Sequence, residues 1–144
     1  MYNNIKQIKM ESIYINHLAV FVCAVINLAV GALWYSPPMF YNAWKKENGL
    51  TDADFEKTNM GKLYGISFIL ALIMSYNMAF FLGDSSTDWT WGMSAGFFTG
   101  FGFCAMIFTA IALFEKKSWR YILINSGYII FYFTLIGFIL GIWR

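Results

Sequence analysis

The sequence predicts an all-α integral membrane protein, a bundle of four transmembrane helices with a short amphipathic helix in the first loop. Three observations predict it. Hydrophobic residues make up 59% of the chain and charged residues only 12%, against about a quarter charged in soluble domains, and the mean hydropathy is +0.55. Four apolar stretches, about 13–35, 63–82, 89–114 and 121–143, contain no Asp, Glu, Lys or Arg and are long enough to cross hydrocarbon. Trp34, Trp44, Trp89, Trp91, Trp119 and Trp143 all fall at or just beyond the ends of those stretches, where amphipathic rings sit at the headgroup level.

Residues 1–12 are polar and expected at the interface, with Lys6 and Lys9 ahead of the first apolar run. That run exceeds the roughly 7 to 15 apolar residues of a cleaved leader, so it reads as an uncleaved first span. At about 1.5 Å per residue it reaches roughly 34 Å. It stops at Trp34-Tyr35-Ser36-Pro37-Pro38, because two prolines lack N–H groups and restrict the residues before them. The loop 36–62 balances Lys45, Lys46, Lys57 and Lys62 against Glu47, Asp52, Asp54 and Glu56. Thr51 followed by Asp54 predicts a short capped helix over 51–60. Gly83-Asp84-Ser85-Ser86-Thr87-Asp88 is a tight turn that makes spans two and three an antiparallel hairpin. Glu115-Lys116-Lys117-Ser118 separates spans three and four, and the whole chain reads as one membrane domain, 1–144.

A net charge of +2 and the lack of a basic stretch interleaved with aromatics exclude nucleic acid as a partner. Lys45, Lys46, Lys57, Lys62, Lys116, Lys117 and Arg120 fall on one side, against Lys6, Lys9 and Arg144 on the other. The positive-inside rule then places the 36–62 loop in the cytoplasm and both termini outside the inner membrane. Cys23 and Cys104 lie deep in apolar runs and read as packing residues.

Between helices in lipid, close approach depends on small side chains and on interhelical hydrogen bonds. Every span carries small residues at four-residue spacing. Span one has Ala19, Cys23, Asn27 and Gly31, and span two has Ser67, Ala71, Ser75, Ala79 and Gly83. Span three has Gly92, Gly96, Gly100 and Cys104, and span four has Gly137 and Gly141. These stripes serve internal packing first, with self-association through span three or four as the alternative.

With no charged residue inside a span, an ion-coupled carrier of the usual kind is not expected. What remains are neutral polar groups in two layers, His17 and Asn77 near the outer end, and Asn27, Ser67, Thr109 and Asn125 near the inner end. Such groups line a narrow path, hold a polar head, or simply bond across helices at about 0.6 kcal/mol each. A single histidine and no nucleophile, base and acid set predict no metal, no cofactor and no enzyme.

The segments Asn16-His17, Gly31-Ala32-Leu33-Trp34-Tyr35-Ser36-Pro37, Phe40, Ala43-Trp44, Gly49-Leu50 and Gly65 form one pattern across the first half. Gly96, Gly102, Leu113-Phe114-Glu115, Asn125-x-Gly127-Tyr128 and Gly137-x-x-x-Gly141-x-Trp143 continue it. Over almost its whole length the chain resembles a family of small bacterial, and some fungal, membrane proteins known as a domain of unknown function. It departs from the family in Pro38 and in Tyr41, where glycine is usual. The resemblance implies four spans in one domain and carries no activity with it.

A re-entrant geometry is expected after the prolines, with Phe40 and Trp44 folded back onto the bundle and Ser36, Asn42 or Asn125 satisfying a non-helical backbone. The expected ligand-contacting residues are therefore Trp34, Tyr35, Ser36, Phe40 and Trp44 with His17, Asn27, Asn77 and Asn125. The expected function is a non-enzymatic, homo-oligomeric bundle that binds or passes a small neutral or lipid-like ligand. A subunit of a larger membrane complex is the alternative reading.

Overall fold

The computed structural model describes residues 13–144; the interfacial segment expected over 1–12 lies outside them. Four helices are long and apolar enough to cross a membrane, His17–Trp34, Met60–Phe81, Trp89–Phe114 and Trp119–Ile142. The protein is a multi-pass membrane protein, and no strand occurs among the described residues.

Each span starts at a polar cap. Helix α1 (His17–Trp34) is capped by Asn16, whose Oδ1 accepts from the Ala19 N–H at 3.0 Å. It stops where Ser36, Pro37 and Pro38 follow, and the turn closes when the Phe40 N–H reaches the Trp34 carbonyl at 3.1 Å. The chain then re-enters a helix, α2 (Tyr41–Asn48). This corrects the expected non-helical re-entrant stretch: α2 satisfies its own backbone, and Asn42 faces outward. Gly49, at φ 65°, ends α2, with Gly49 and Leu50 N–H groups returning to the Lys46 and Lys45 carbonyls at 3.1 Å. That pairing is the Schellman arrangement, which needs the left-handed conformation glycine tolerates.

Helix α3 (Asp52–Glu56) is shorter than the 51–60 expected. Its capping box forms as predicted, with the Thr51 N–H on Asp54 Oδ2 at 2.7 Å, but Asn59 is taken up in starting the next helix. Helix α4 (Met60–Phe81) begins there, Asn59 Oδ1 accepting from the Lys62 N–H at 3.0 Å. Asp88 caps α5 (Trp89–Phe98). A π-helical segment, Thr99–Ala105, joins α5 to α6 (Met106–Phe114). Ser118 caps α7 (Trp119–Ile142), which therefore starts before the 121 expected.

The spans associate as two pairs. Helix α5 lies on α7, and α1 lies on α4; α7 bridges the pairs. Spans two and three are consecutive in the chain, yet α5 packs on α7 rather than on α4. Small residues explain the choice: a Cβ at Gly96 would stand 2.9 Å from the Phe133 carbonyl carbon, and one at Gly137 would stand 3.1 Å from the Gly96 Cα. Gly92 and Gly141 abut across the same seam, and Gly100 meets Ile130. Backbones this close gain dispersion contacts along the whole seam. Ala19, Cys23, Met78, Ala79, Ala95, Tyr132, Phe133 and Ile136 fill the core between the pairs.

The π segment changes the expected stripe on span three. Gly92, Gly96 and Gly100 are buried in steps of four, but the next buried residue is Ala105, not Cys104. The wider turn inserts one residue, so the step becomes five and Cys104 turns half outward. Both cysteines are free thiols.

Candidate functional site

At one end of the bundle, the aromatic exit and two asparagines meet around Tyr128. Trp34 Nε1 donates to the Ile124 carbonyl at 3.0 Å, tying the end of α1 to the backbone of α7. Tyr35 donates its hydroxyl to Asn125 Oδ1 at 2.8 Å, while Asn125 Nδ2 donates to the Tyr121 carbonyl at 2.8 Å. Asn27 Nδ2 donates to the Tyr128 hydroxyl at 2.9 Å. Rings complete the cluster: Trp34 lies 4.8 Å from Phe40, and Tyr35 lies 5.4 Å from Trp44 and 5.6 Å from Tyr128, centroid to centroid. Gly31 and Gly127 make room, since a Cβ at Gly31 would stand 3.5 Å from the Tyr128 hydroxyl and one at Gly127 would stand 3.1 Å from the Trp34 ring.

Seven of the expected contact residues therefore come together: Trp34, Tyr35, Ser36, Phe40, Trp44, Asn27 and Asn125. Their polar atoms bond one another or the backbone, Ser36 Oγ donating to the Leu33 carbonyl. No buried side-chain nitrogen or oxygen among the described residues lacks a partner. Physically this is a clasp that fixes α1, the proline turn and α2 onto α7.

His17 and Asn77 sit near the other end of the bundle and do not join it. His17 Nδ1 lies 3.1 Å from the Tyr76 hydroxyl, linking the start of α1 to the end of α4. Asn77 does not face the interior. Its Nδ2 donates back to the Ile73 carbonyl at 2.8 Å, and the side chain is exposed on α4. The interior polar groups form separate pairs rather than two layers along a path: Ser75 with Tyr132 at 3.2 Å, and Thr109 with Ser126 at 3.4 Å.

Asn77 instead lines a cleft. Because α4 and span three belong to different pairs, a cleft of about 380 Å³ opens between α4 and the π segment, lined by Met74, Met78, Phe81, Thr99 and Phe103, with buried Phe133 of α7 at its base. Phe103 separates it from a second, more open hollow along Gly102, Cys104 and Met106. Sequence reasoning missed Thr99, Phe133 and Tyr128. The one signal for Tyr128 and Tyr132 is that a phenol hydroxyl near the middle of a span needs a partner, but it does not say which residue that partner is. No group of three or more His, Cys, Asp or Glu among the described residues lies close enough to hold a metal ion.

The family model described as a protein of unknown function, DUF1761, matches residues 18–141. The chain belongs to that family. The DUF1761 region begins one residue into α1 and ends one residue before α7 does, so it takes in both helix pairs, the clasp and the cleft. No curated protein and no solved structure matches the chain.

Proposed function

We propose that this DUF1761 protein is a non-enzymatic membrane bundle that binds a small neutral, lipid-like molecule in the cleft between α4 and span three. The observation that carries the reading is Asn77, an amide turned toward hydrocarbon at the edge of that cleft. In lipid an amide without a full set of partners is costly, because no water is there to supply them. Thr99 adds a hydroxyl for which no hydrogen bond occurs among the described residues. A ligand bearing hydrogen-bonding atoms removes both costs. The clasp at the other end has no buried side-chain nitrogen or oxygen without a partner and serves to hold α1 and α2 in place.

The test is native mass spectrometry of the protein taken from its own membrane in polymer discs. A constant extra mass on the wild type that is lost from Asn77→Leu supports the reading. A bare protein, with both forms alike, refutes it.

A second reading, docking as a subunit of a homo-oligomer or larger complex, is favoured by a different observation. Gly61 and Gly65 lie four apart on the exposed side of α4, Gly65 with nothing within 4 Å. Another helix can approach there without displacing a side chain. Gly92, Gly96, Gly100, Gly137 and Gly141, by contrast, are occupied by the seam between spans three and four. The same spectrum separates the readings, since docking gives a multimer or a fixed partner.

A further inference from the structure

The cleft has a chemistry more specific than a lipid-like ligand requires, and three features define it. The first is charge. No acidic, basic or histidine side chain lines the cleft, so a carboxylate or phosphate head would enter without a counter-ion, which is costly at this depth in hydrocarbon. The ligand head is neutral.

The second feature is the position of the two polar side chains. Phe81 and Trp89 both border the turn between spans two and three, so depths can be counted from that common end. Asn77 is four residues in, about 6 Å, and Thr99 is ten residues in, about 15 Å. Helical side chains lean toward their own N-terminus. Helix α4 and span three run in opposite directions, so Asn77 leans inward and Thr99, where the π segment begins, outward, toward one stretch of the cleft. The bond from Asn77 Nδ2 to the Ile73 carbonyl agrees with that lean and leaves Oδ1 and the second N–H of the amide available. A head with an oxygen on each of two opposite edges meets both side chains, whereas a lone hydroxyl meets one.

The third feature is the aromatic lining. Phe81, Phe103 and buried Phe133 line the cleft, ring faces against which a flat conjugated head can lie. At about 380 Å³ the cleft is at the low end of the roughly 300–1,000 Å³ of small-molecule sites. It holds a head and the start of a tail, and the rest of the tail lies in the bilayer.

We infer that the cleft takes the head of a lipid-soluble para-quinone or its hydroquinone, with Asn77 and Thr99 bonding opposite oxygens of the ring. This rests on the ligand-binding reading above and names its ligand class.

The probe is a benzoquinone with a ten-carbon tail, added to the protein in quinone-free nanodiscs and followed by native mass spectrometry and thermal shift. Decanol and a short-chain diacylglycerol serve as comparators. One bound quinone per chain is expected, with affinity lowered about tenfold in Asn77→Leu and about three- to tenfold in Thr99→Val, as loss of one hydrogen bond each predicts. Neither side chain bonds across the bundle, so both variants keep the helical content of the wild type. Unchanged quinone affinity in both variants overturns the inference. Decanol or the glyceride binding as tightly as the quinone overturns the ligand class while leaving the lipid-like reading intact. If none of the three binds, both fail.

Discussion

At Gly96 the backbones of α5 and α7 touch: a methyl group there would stand 2.9 Å from the Phe133 carbonyl carbon and 3.1 Å from the Thr134 Cα. Neither neighbour is a side chain that can swing aside, so the helices must separate. Gly96→Ala is expected to cost about 3 kcal/mol, the upper end of the usual overpacking range. Gly65→Ala, where nothing lies within 4 Å, is expected to gain about 0.5–1 kcal/mol from helix propensity alone. Unfolding of both variants in mixed micelles, titrated with denaturing detergent, measures the difference; equal effects would refute the seam. In the clasp, the Asn27–Tyr128 hydrogen bond links α1 to α7. A double-mutant cycle with Asn27→Leu and Tyr128→Phe is expected to return a coupling of about 0.6 kcal/mol, up to about 1.7. The small-residue positions were legible in the sequence because a period of four survives in a helix whatever its neighbours are. Tyr128 was not legible as a hub, because a tyrosine inside a span reads as one more apolar residue until its partner from another span is known.

Among the elements, the four spans were readable from charge-free length and from the belt of Trp. Their starts were placed two or three residues late at Met60 and Trp119, because Asn59 and Ser118 cap from within the polar loops. Helix α2 was hidden by its short length and its run of Lys45, Lys46 and Glu47, and the sequence showed only the proline break ahead of it. The π segment was hidden for another reason: small and apolar residues continue through Thr99–Ala105, and hydropathy does not distinguish a step of four from a step of five. A single extra residue makes such a turn, and Gly102 has nothing within 4 Å. Removing Gly102 is therefore expected to restore an ordinary helix while Gly100 and Ala105 keep facing α7, with stability unchanged within about 1 kcal/mol. A drop as large as that of Gly96→Ala in the same unfolding assay would show that the π turn is not a one-residue insertion. In the loop, the Thr51 backbone N–H holds the Asp54 carboxyl below its ordinary value of 3.8, and the Lys45 ammonium does the same for Asp52. A folded value below the unfolded one means the ordering is fully present above about 3.8 and is lost as pH falls through the depressed value. Protection of the Thr51 amide, corrected for its intrinsic exchange rate, is accordingly expected to hold at neutral pH and to fall only in strong acid, and Asp54→Asn to lower it at neutral pH but not in strong acid.

For the molecule as a whole, the division into two helix pairs sets the clasp at one end and leaves the cleft toward the other. The clasp joins the pairs at the end that carries α2, α3 and the 115–118 turn, and the cleft between α4 and span three opens toward the end of the 82–88 turn. We propose an orientation from the cations. Lys45, Lys46, Lys57, Lys62, Lys116, Lys117 and Arg120 all lie at the clasp end, and among the described residues only Arg144 lies at the other, where it donates to the Thr87 carbonyl at 3.0 Å. Retaining basic loops on the cytoplasmic side is the dominant orienting effect, and acidic residues count for little in it. The Asp and Glu of the 36–62 loop therefore do not offset its lysines. On that reading the cleft would be reached from the outer leaflet and the clasp would lie against the cytoplasm. In intact cells, with Cys23→Ser and Cys104→Ser as background, a membrane-impermeant maleimide is expected to label Ser86→Cys and to leave Lys57→Cys unlabelled until the membrane is permeabilised. The opposite pattern would invert the molecule and deliver the ligand from the cytoplasmic leaflet. Labelling of both positions in intact cells would mean that the chain inserts in two orientations, as a modest cation excess with no compensating anchor permits.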